Sequence, residues 1–274
     1  MMRAEPNAYS RRWFEFFHGG IGEARTIQEV TFVCRCAPLP DFRKLADVCC
    51  GMGRHARALS SRGYSVIGVD RDADAIAEAR ELAGGPSYVH ADIRDYQPEP
   101  GAFDVAIVMS QSFGYFDPIT NRDVLGRLAA GLREGGRVIL DLWNQEFFAA
   151  HQGERELETA GGVVRESKRL DGDRLVVQLD YPDGGHEEFE WQLFSPAKMI
   201  SLAQSVGLGL LLSCTDFDTA STPSPAKPRI QFVLERPGKG LRQTPLHRDA
   251  AVNDHGYSFS PFLIRERGEN GYSA

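Results

Sequence analysis

The stretch Leu45-Ala-Asp-Val-Cys-Cys-Gly-Met-Gly53, followed downstream by Tyr64-Ser-Val-Ile-Gly-Val-Asp70, decides the fold of this chain. It predicts a buried strand, a glycine turn, a helix and a second strand that ends in a carboxylate. This order is typical of a nucleotide-sized pocket at the carboxyl edge of a parallel sheet. Gly51 and Gly53 allow close approach of the backbone to a ligand because neither carries a Cβ. Asp70 is placed to accept the hydroxyls of a ribose.

The residues around the turn indicate which nucleotide the pocket takes. A dinucleotide-binding turn needs Gly-x-Gly-x-x-Gly, and Ala56 stands where the third glycine is required. Asp47 lies just before the turn, where its charge would repel a pyrophosphate but attract an ammonium or sulfonium group. We therefore favour S-adenosylmethionine over NAD as the ligand.

Two motifs carry a resemblance to a known family. They are Cys-Cys-Gly-x-Gly-Arg-His at residues 49–55 and Ser-Phe-Gly-Tyr-Phe at residues 112–116. With them, the chain resembles the class I S-adenosylmethionine-dependent methyltransferases, specifically the small-molecule branch, from about Tyr9 to about Glu235. The family usually has glycine at the position of Cys49. The resemblance implies S-adenosyl-L-methionine as the cofactor.

The pattern of elements predicts an α/β fold with a seven-stranded, mostly parallel, doubly wound (Rossmann-like) sheet. We interpret 1–40 as an N-terminal helical lid, 41–144 as the cofactor-binding core and 196–235 as the last helix and closing strands. Residues 145–195 read as an inserted antiparallel β-meander of three strands, because Asp171-Gly172 and Pro182-Asp-Gly-Gly185 are typical hairpin turns. This insertion is either a roof over the substrate or an oligomer contact. Residues 236–274 are interpreted as a C-terminal tail.

The N-terminal segment is rich in aromatic residues and predicts two helices. The second is expected over 26–36, with Thr26 as its N-cap and Glu29 at the reciprocal capping position. In methyltransferases of this kind such helices cover the cofactor. We therefore expect Tyr9 and Trp13, on the first helix, to face the reacting methyl group.

The resemblance assigns cofactor-binding roles residue by residue. Asp92 would accept from the adenine amino group, the amide of Ile93 would reach a ring nitrogen, and the carbonyl of Ser110 would accept from the ammonium group. Arg54 and His55 follow the glycines at a helix N-terminus, and either steer the cofactor carboxylate or serve as caps and surface residues. The full predicted cofactor set is Asp47, Cys49, Gly51, Gly53, Arg54, His55, Asp70, Arg71, Asp92, Ile93 and Ser110.

The sequence says less about the residues that bind the methyl acceptor than about those that bind the cofactor. The candidate catalytic residues are Tyr9, Trp13, Tyr115 and His151, because aromatic faces attract a sulfonium and a histidine can serve as general base. The acceptor is expected to be an amine or a hydroxyl of a small metabolite in a biosynthetic pathway. The lack of a well-placed His–Asp pair favours the amine. The alternatives are an NAD(P)-dependent oxidoreductase and a non-catalytic cofactor-binding protein.

Composition limits the other partners. The 274 residues carry a formal net charge of −7 with interspersed signs, so we expect no nucleic-acid and no membrane partner. DNA amine methylation also uses an Asn/Asp-Pro-Pro-aromatic run where this chain has Ser110-Gln-Ser-Phe113. No apolar run approaches the roughly 18 residues of a membrane span, so we expect a cytoplasmic protein. The five cysteines predict no disulfide framework and no metal site.

Overall fold

Two β-sheets organise the computed structural model, which describes residues 16, 22–82, 84–159 and 161–238. Six helices lie within these ranges: α1 (Glu23–Cys36), α2 (Arg54–Ser60), α3 (Ala73–Glu81), α4 (Pro118–Gly131), α5 (Gln145–Ala150) and α6 (Pro196–Ser205). The predicted residues Tyr9 and Trp13 and most of the predicted tail lie outside the described residues.

The larger sheet has seven strands in the order β10-β11-β5-β4-β1-β2-β3. Its strands are β1 (Lys44–Val48), β2 (Ser65–Asp70), β3 (Ser87–His90), β4 (Phe103–Val108), β5 (Leu132–Trp143), β10 (Gly209–Cys214) and β11 (Arg229–Glu235). All neighbours from β5 to β3 are parallel, whereas β11 is antiparallel to both β5 and β10. The predicted mostly parallel, doubly wound sheet is therefore confirmed. Its chain order brings the carboxyl ends of β1, β2, β4 and β5 to one edge.

Apolar layers cover both faces of this sheet. On one face, Val124 and Leu128 of α4 and Met199 of α6 pack against strand residues such as Val138. On the other face, Val30 and Val33 of α1 and Leu59 of α2 pack with Leu45 and Ile107. Because the central strands are buried on both sides, they read as continuous apolar runs rather than alternating patterns. An ionisable residue inside such a run is therefore conspicuous.

Helix α1 begins earlier than the sequence predicts. It starts at Glu23 after Gly22, which makes no side-chain cap, so the predicted capping pair of Thr26 and Glu29 is wrong. Both side chains instead contact Arg54, at the start of α2. The local capping signal is overridden because the long-range ion pair satisfies Glu29 better than its own backbone can.

The second sheet is the inserted meander, with four strands rather than the predicted three. Its strands are β6 (Gly153–Thr159), β7 (Gly162–Asp171), β8 (Arg174–Asp180) and β9 (His186–Gln192), paired antiparallel in that order. Strand β6 escaped prediction because Glu154, Glu156 and Glu158 alternate on it with a single large apolar residue, Leu157. The inner face of the sheet packs against Trp143 at the end of β5 and Phe148 of α5. The meander thus rests beside the carboxyl edge of the larger sheet.

Among the described residues, no helix combines the length and the apolar character needed to cross a bilayer.

Candidate cofactor-binding site

The carboxylate of Asp47 sits near the carboxyl end of β1 with 1% exposure. Its Oδ2 atom is buried and has no hydrogen-bond partner among the described residues. Burial raises the pKa of Asp47 to about 6, although the nearby charges of His55 and Arg54 oppose the shift. A buried carboxylate oxygen without a donor is rare in folded proteins, and it suits a cationic ligand group.

The turn after β1 is held in the left-handed region of backbone space. Cys49, Gly51 and Gly53 have φ values of 62°, 52° and 76°. The conformation explains why the family usually carries glycine at the position of Cys49, since a side chain is strained there. The Cys49 thiol is half-buried, and burial raises its pKa.

The two glycines of this turn serve different purposes. A Cβ on Gly51 would meet no atom within 4 Å, so open space lies beside that backbone. A Cβ on Gly53 would lie 2.3 Å from the hydroxyl of Tyr88. Gly51 therefore leaves room for a ligand, whereas Gly53 is required for packing against Tyr88.

Asp70 ends β2 directly opposite this turn. Its Oδ2 accepts the N–H of Gly51 at 2.7 Å, and its Oδ1 accepts the N–H of Asp72 at 2.9 Å. These bonds fix the carboxylate beside the open space at Gly51, and each oxygen keeps a lone pair for a further donor. The next residue, Arg71, is half-buried, and its carbonyl is 2.9 Å from Nε2 of His90.

Asp92 and Ile93 follow β3 at the same edge. The Asp92 carboxylate receives the guanidinium of Arg94 at 2.9 and 2.7 Å and also the Arg94 N–H at 2.8 Å. The hydrogen bond from the Arg94 side chain lowers the pKa of Asp92. Ile93 is 9% exposed and packs into the core. The carboxylate is therefore ionised and oriented by its own turn.

Ser110 follows β4 in a strained conformation, with φ values of 54° at Ser110 and 60° at Gln111. Asp141 of β5 holds both residues. Its Oδ2 accepts the Ser110 N–H at 3.0 Å, and its carbonyl accepts the Gln111 N–H at 2.9 Å. The side chain and the backbone carbonyl of Asp141 thus each hold one left-handed residue at the edge of the sheet.

Arg54 and His55 point to α1. Nη1 of Arg54 lies 2.7 Å, and Nε2 of His55 lies 2.8 Å, from Oε2 of the buried Glu29. Burial alone would raise the pKa of Glu29, but the His55 hydrogen bond and the charges of His55, Arg54 and Arg229 hold it well below its usual range. In this structure both predicted residues bind the start of α2 to helix α1.

The same polar network continues through β11. Arg229 is fully desolvated and forms a two-pronged ion pair with Asp141, while Gln231 donates to the same carboxylate at 2.8 Å. Arg229 also lies 4.0 Å from Glu29. The network therefore joins α1 to the turns after β1 and β4, which bracket Asp47.

Of the four candidate catalytic residues, Tyr115 and His151 lie within the described residues. Tyr115 packs against Trp191 of β9, with ring centroids 5.9 Å apart. His151 is exposed at the end of α5, stacks on Phe147 at 3.8 Å and has Nδ1 2.7 Å from the Phe147 carbonyl. The structure thus places Tyr115 between the two sheets, whereas His151 is engaged in contacts local to α5.

Comparison with known proteins addresses the identity of this fold. Residues 45–136 match the family model described as a methyltransferase domain. The structure aligns with an S-adenosylmethionine-dependent methyltransferase from Clostridium acetobutylicum at a TM-score of 0.68 and 16% identity, covering 85% of this chain and 99% of that one. The CcbJ methyltransferase of Streptomyces caelestis aligns at 0.69 and 17% identity, covering 81% and 95%. The predicted fold of class I S-adenosylmethionine-dependent methyltransferases is confirmed.

Two curated proteins are similar to part of this chain. The dTDP-3-amino-3,6-dideoxy-alpha-D-glucopyranose N,N-dimethyltransferase of Streptomyces fradiae is 29% identical over 161 residues, which span 54% of this chain and 63% of that protein. A trans-aconitate 2-methyltransferase of Paracidovorax citrulli is 27% identical over 185 residues, spanning 62% and 70%. The chain thus matches less than two thirds of the first relative.

The edge fits the cofactor of such domains. The unpartnered oxygen of Asp47 suits an ammonium group, the open space at Gly51 admits a ligand against the backbone, and Asp70 lies beside both. The sequence predictions missed Glu29, Asp141 and Arg229, which hold the surrounding turns. Asp141 could have been found, since it interrupts the apolar run from Val138 to Trp143.

Proposed function

We propose that this protein is an S-adenosylmethionine-dependent N-methyltransferase that acts on an amine of a small polar metabolite in a biosynthetic pathway. The observation that carries the cofactor part is the buried, unpartnered oxygen of Asp47 at the tip of β1, beside the glycine turn and Asp70. Neither alternative from the sequence is favoured, because the methyltransferase-domain match spans these same residues.

Different residues would bind different parts of the cofactor. Asp47 and the carbonyl of Ser110 would hold the ammonium group, Asp70 the ribose hydroxyls, and Asp92 with the amide of Ile93 the adenine. Arg71, next to Asp70, and Cys49, within the turn, would line the same pocket. When bound, S-adenosylmethionine supplies a methyl group on a sulfonium, which is already a strong electrophile. The protein therefore has to align the acceptor and exclude water rather than activate the methyl group.

Two considerations support nitrogen as the atom that is methylated. The first curated relative is named for N,N-dimethylation of an amino sugar nucleotide. The candidate base His151 stacks on Phe147 and contacts the Phe147 carbonyl through Nδ1, and among the described residues no carboxylate lies against His151 to raise its basicity. A neutral amine needs only positioning, for which Tyr115, Tyr9 and Trp13 are our candidates. Small-molecule specificity, a cytoplasmic location and a homo-oligomeric state remain predictions.

The test combines binding and product analysis. Isothermal titration of S-adenosylhomocysteine should give one site per chain, and mass spectrometry should show methyl gain on hydroxylated amines but not on the matching alcohols. Trans-aconitate serves as the comparison acceptor, because other relatives are named for its methylation. Methyl gain on alcohols or on trans-aconitate alone would contradict N-methylation, and no binding would contradict the cofactor assignment.

A further inference from the structure

A buried ionic cluster lies on the inner face of the meander. Glu166 of β7 has 0% exposure, and its Oε2 receives the ammonium of Lys168 at 2.7 Å and the guanidinium of Arg155. The remainder of this face is mainly apolar and aromatic: Leu157, Val164, Leu175, Val177, Leu179, Phe189 and Trp191. Glu166 and Lys168 are buried charged groups in a small core, which is costly, whereas the Arg155 side chain is 27% exposed. The cluster therefore calls for an explanation beyond folding.

Two buried polar atoms of this face lack partners. Oε1 of Glu166 and Nε1 of Trp191 make no hydrogen bond within the part of the chain that the structure describes. One is an acceptor on a carboxylate and the other is an indole donor, and buried groups of both kinds are normally satisfied. Burial lowers the pKa of Lys168 to about 8, although the charge of Glu166 opposes this shift.

Ring contacts connect this face to the carboxyl edge of the larger sheet. Trp191 packs against Tyr115, which lies on the segment that follows β4. Lys168 lies 5.6 Å from the Phe148 ring, and Phe148 packs edge-on at 5.0 Å against Trp143, the last residue of β5. These contacts join the inner face of the meander to the ends of β4 and β5.

We propose that Glu166 and Trp191 form the acceptor subsite and that they select a hydroxylated cyclic amine. The free carboxylate oxygen accepts an O–H or N–H of the acceptor, the indole N–H donates to an acceptor oxygen, and the surrounding rings pack on its carbon skeleton. A mostly aromatic lining with a few fixed polar groups is the usual composition of small-molecule sites. The inference rests on the proposed methyltransferase function and names its substrate class.

The experiment compares two probes on protein loaded with S-adenosylhomocysteine. The probes are 3-amino-3-deoxy-D-glucose and cyclohexylamine, which share a ring amine but differ in hydroxyls. The wild type should bind the amino sugar at least about tenfold more tightly by NMR titration, because a site built for hydroxyls rejects analogues that lack them. Glu166→Gln should remove this preference. Glu188→Gln is the matched control, since Glu188 is exposed on β9 and pairs with Gln178.

The possible outcomes separate this inference from the proposed function. Wild type that fails to bind S-adenosylhomocysteine contradicts the proposed function. Wild type that binds it but does not prefer the amino sugar, or Glu166→Gln with the preference intact, contradicts only the acceptor subsite. If Glu166→Gln does not fold, Trp191→Phe is the variant that tests the acceptor subsite, because phenylalanine keeps an aromatic ring but lacks the indole N–H donor. An unchanged amino-sugar affinity in Trp191→Phe would then overturn the proposal.

Discussion

Titration of Asp47 should make cofactor affinity depend on pH. In the free protein, burial holds the pKa of this carboxyl at about 6, against an ordinary value of 3.8. An ammonium group beside Oδ2 favours the ionised form, so binding should return the pKa to its ordinary value or below. Protonated Asp47 must then lose its proton on binding, and affinity should fall as the pH drops through 6.

The size of this change in affinity follows from the coupling between proton binding at Asp47 and cofactor binding. With pKa values of about 6 free and 3.8 bound, the dissociation constant should rise by about tenfold, or about 1.4 kcal/mol, between pH 7 and pH 5. The stability of the free protein has the opposite dependence on pH. A carboxyl whose folded pKa is raised favours the fold below its unfolded pKa and loses that contribution as the pH rises through about 6. The cofactor should therefore raise the melting temperature more at pH 7 than at pH 5.

The assay is isothermal titration of S-adenosylhomocysteine at pH 5, 6 and 7 and constant ionic strength. Asp47→Asn should bind more weakly at pH 7, by about 1–3 kcal/mol, and its affinity should vary little with pH. Asp123→Asn, an exposed carboxylate on α4, is the control and should behave as wild type. A wild-type affinity that does not change between pH 5 and 7, or an equal pH dependence in Asp47→Asn, refutes the reasoning.

Three further substitutions test residues at the site and residues that hold its turns in place. Asp70→Ala should lower cofactor affinity by about 1–3 kcal/mol in the same titration, whereas unchanged affinity would place the ribose elsewhere. Gly53→Ala should destabilise the fold by about 1–3 kcal/mol in urea unfolding, because φ is 76° and a Cβ would clash with Tyr88. Glu29→Ala should cost about 3–5 kcal/mol by the same measurement, since it removes the buried carboxylate that pairs with the partly buried guanidinium groups of Arg25 and Arg54. A loss below about 1 kcal/mol would show that water reaches these groups.

The alternation of strands, glycine turns and helices is a local pattern, and it predicted the large sheet and the edge at which Asp47, Asp70, Asp92 and Ser110 meet. The order of the elements is enough to predict which residues lie at this edge, because the carboxyl ends of parallel strands share one edge of the sheet. The residues on this edge could therefore be named before their contacts were known.

Contacts between distant segments could not be predicted in this way. Arg229 reaches Asp141 across 88 positions, and Arg54 reaches Glu29 across 25. These pairs outweighed the capping signal at Thr26 and turned Arg54 and His55 toward α1. Strand β6 forms for a similar reason, since its pairing with β7 and the burial of Leu157 offset a sequence dominated by charges.

A crystal structure with S-adenosylhomocysteine bound is the most direct test of the central claim, that an adenosyl cofactor lies across the tips of β1 to β4. We expect the ammonium group within hydrogen-bond distance of Asp47 Oδ2, the ribose hydroxyls on Asp70 and the adenine beside Asp92 and Ile93. Density for the ligand at another edge of the sheet, or an ammonium group that leaves Asp47 without a partner, would contradict it.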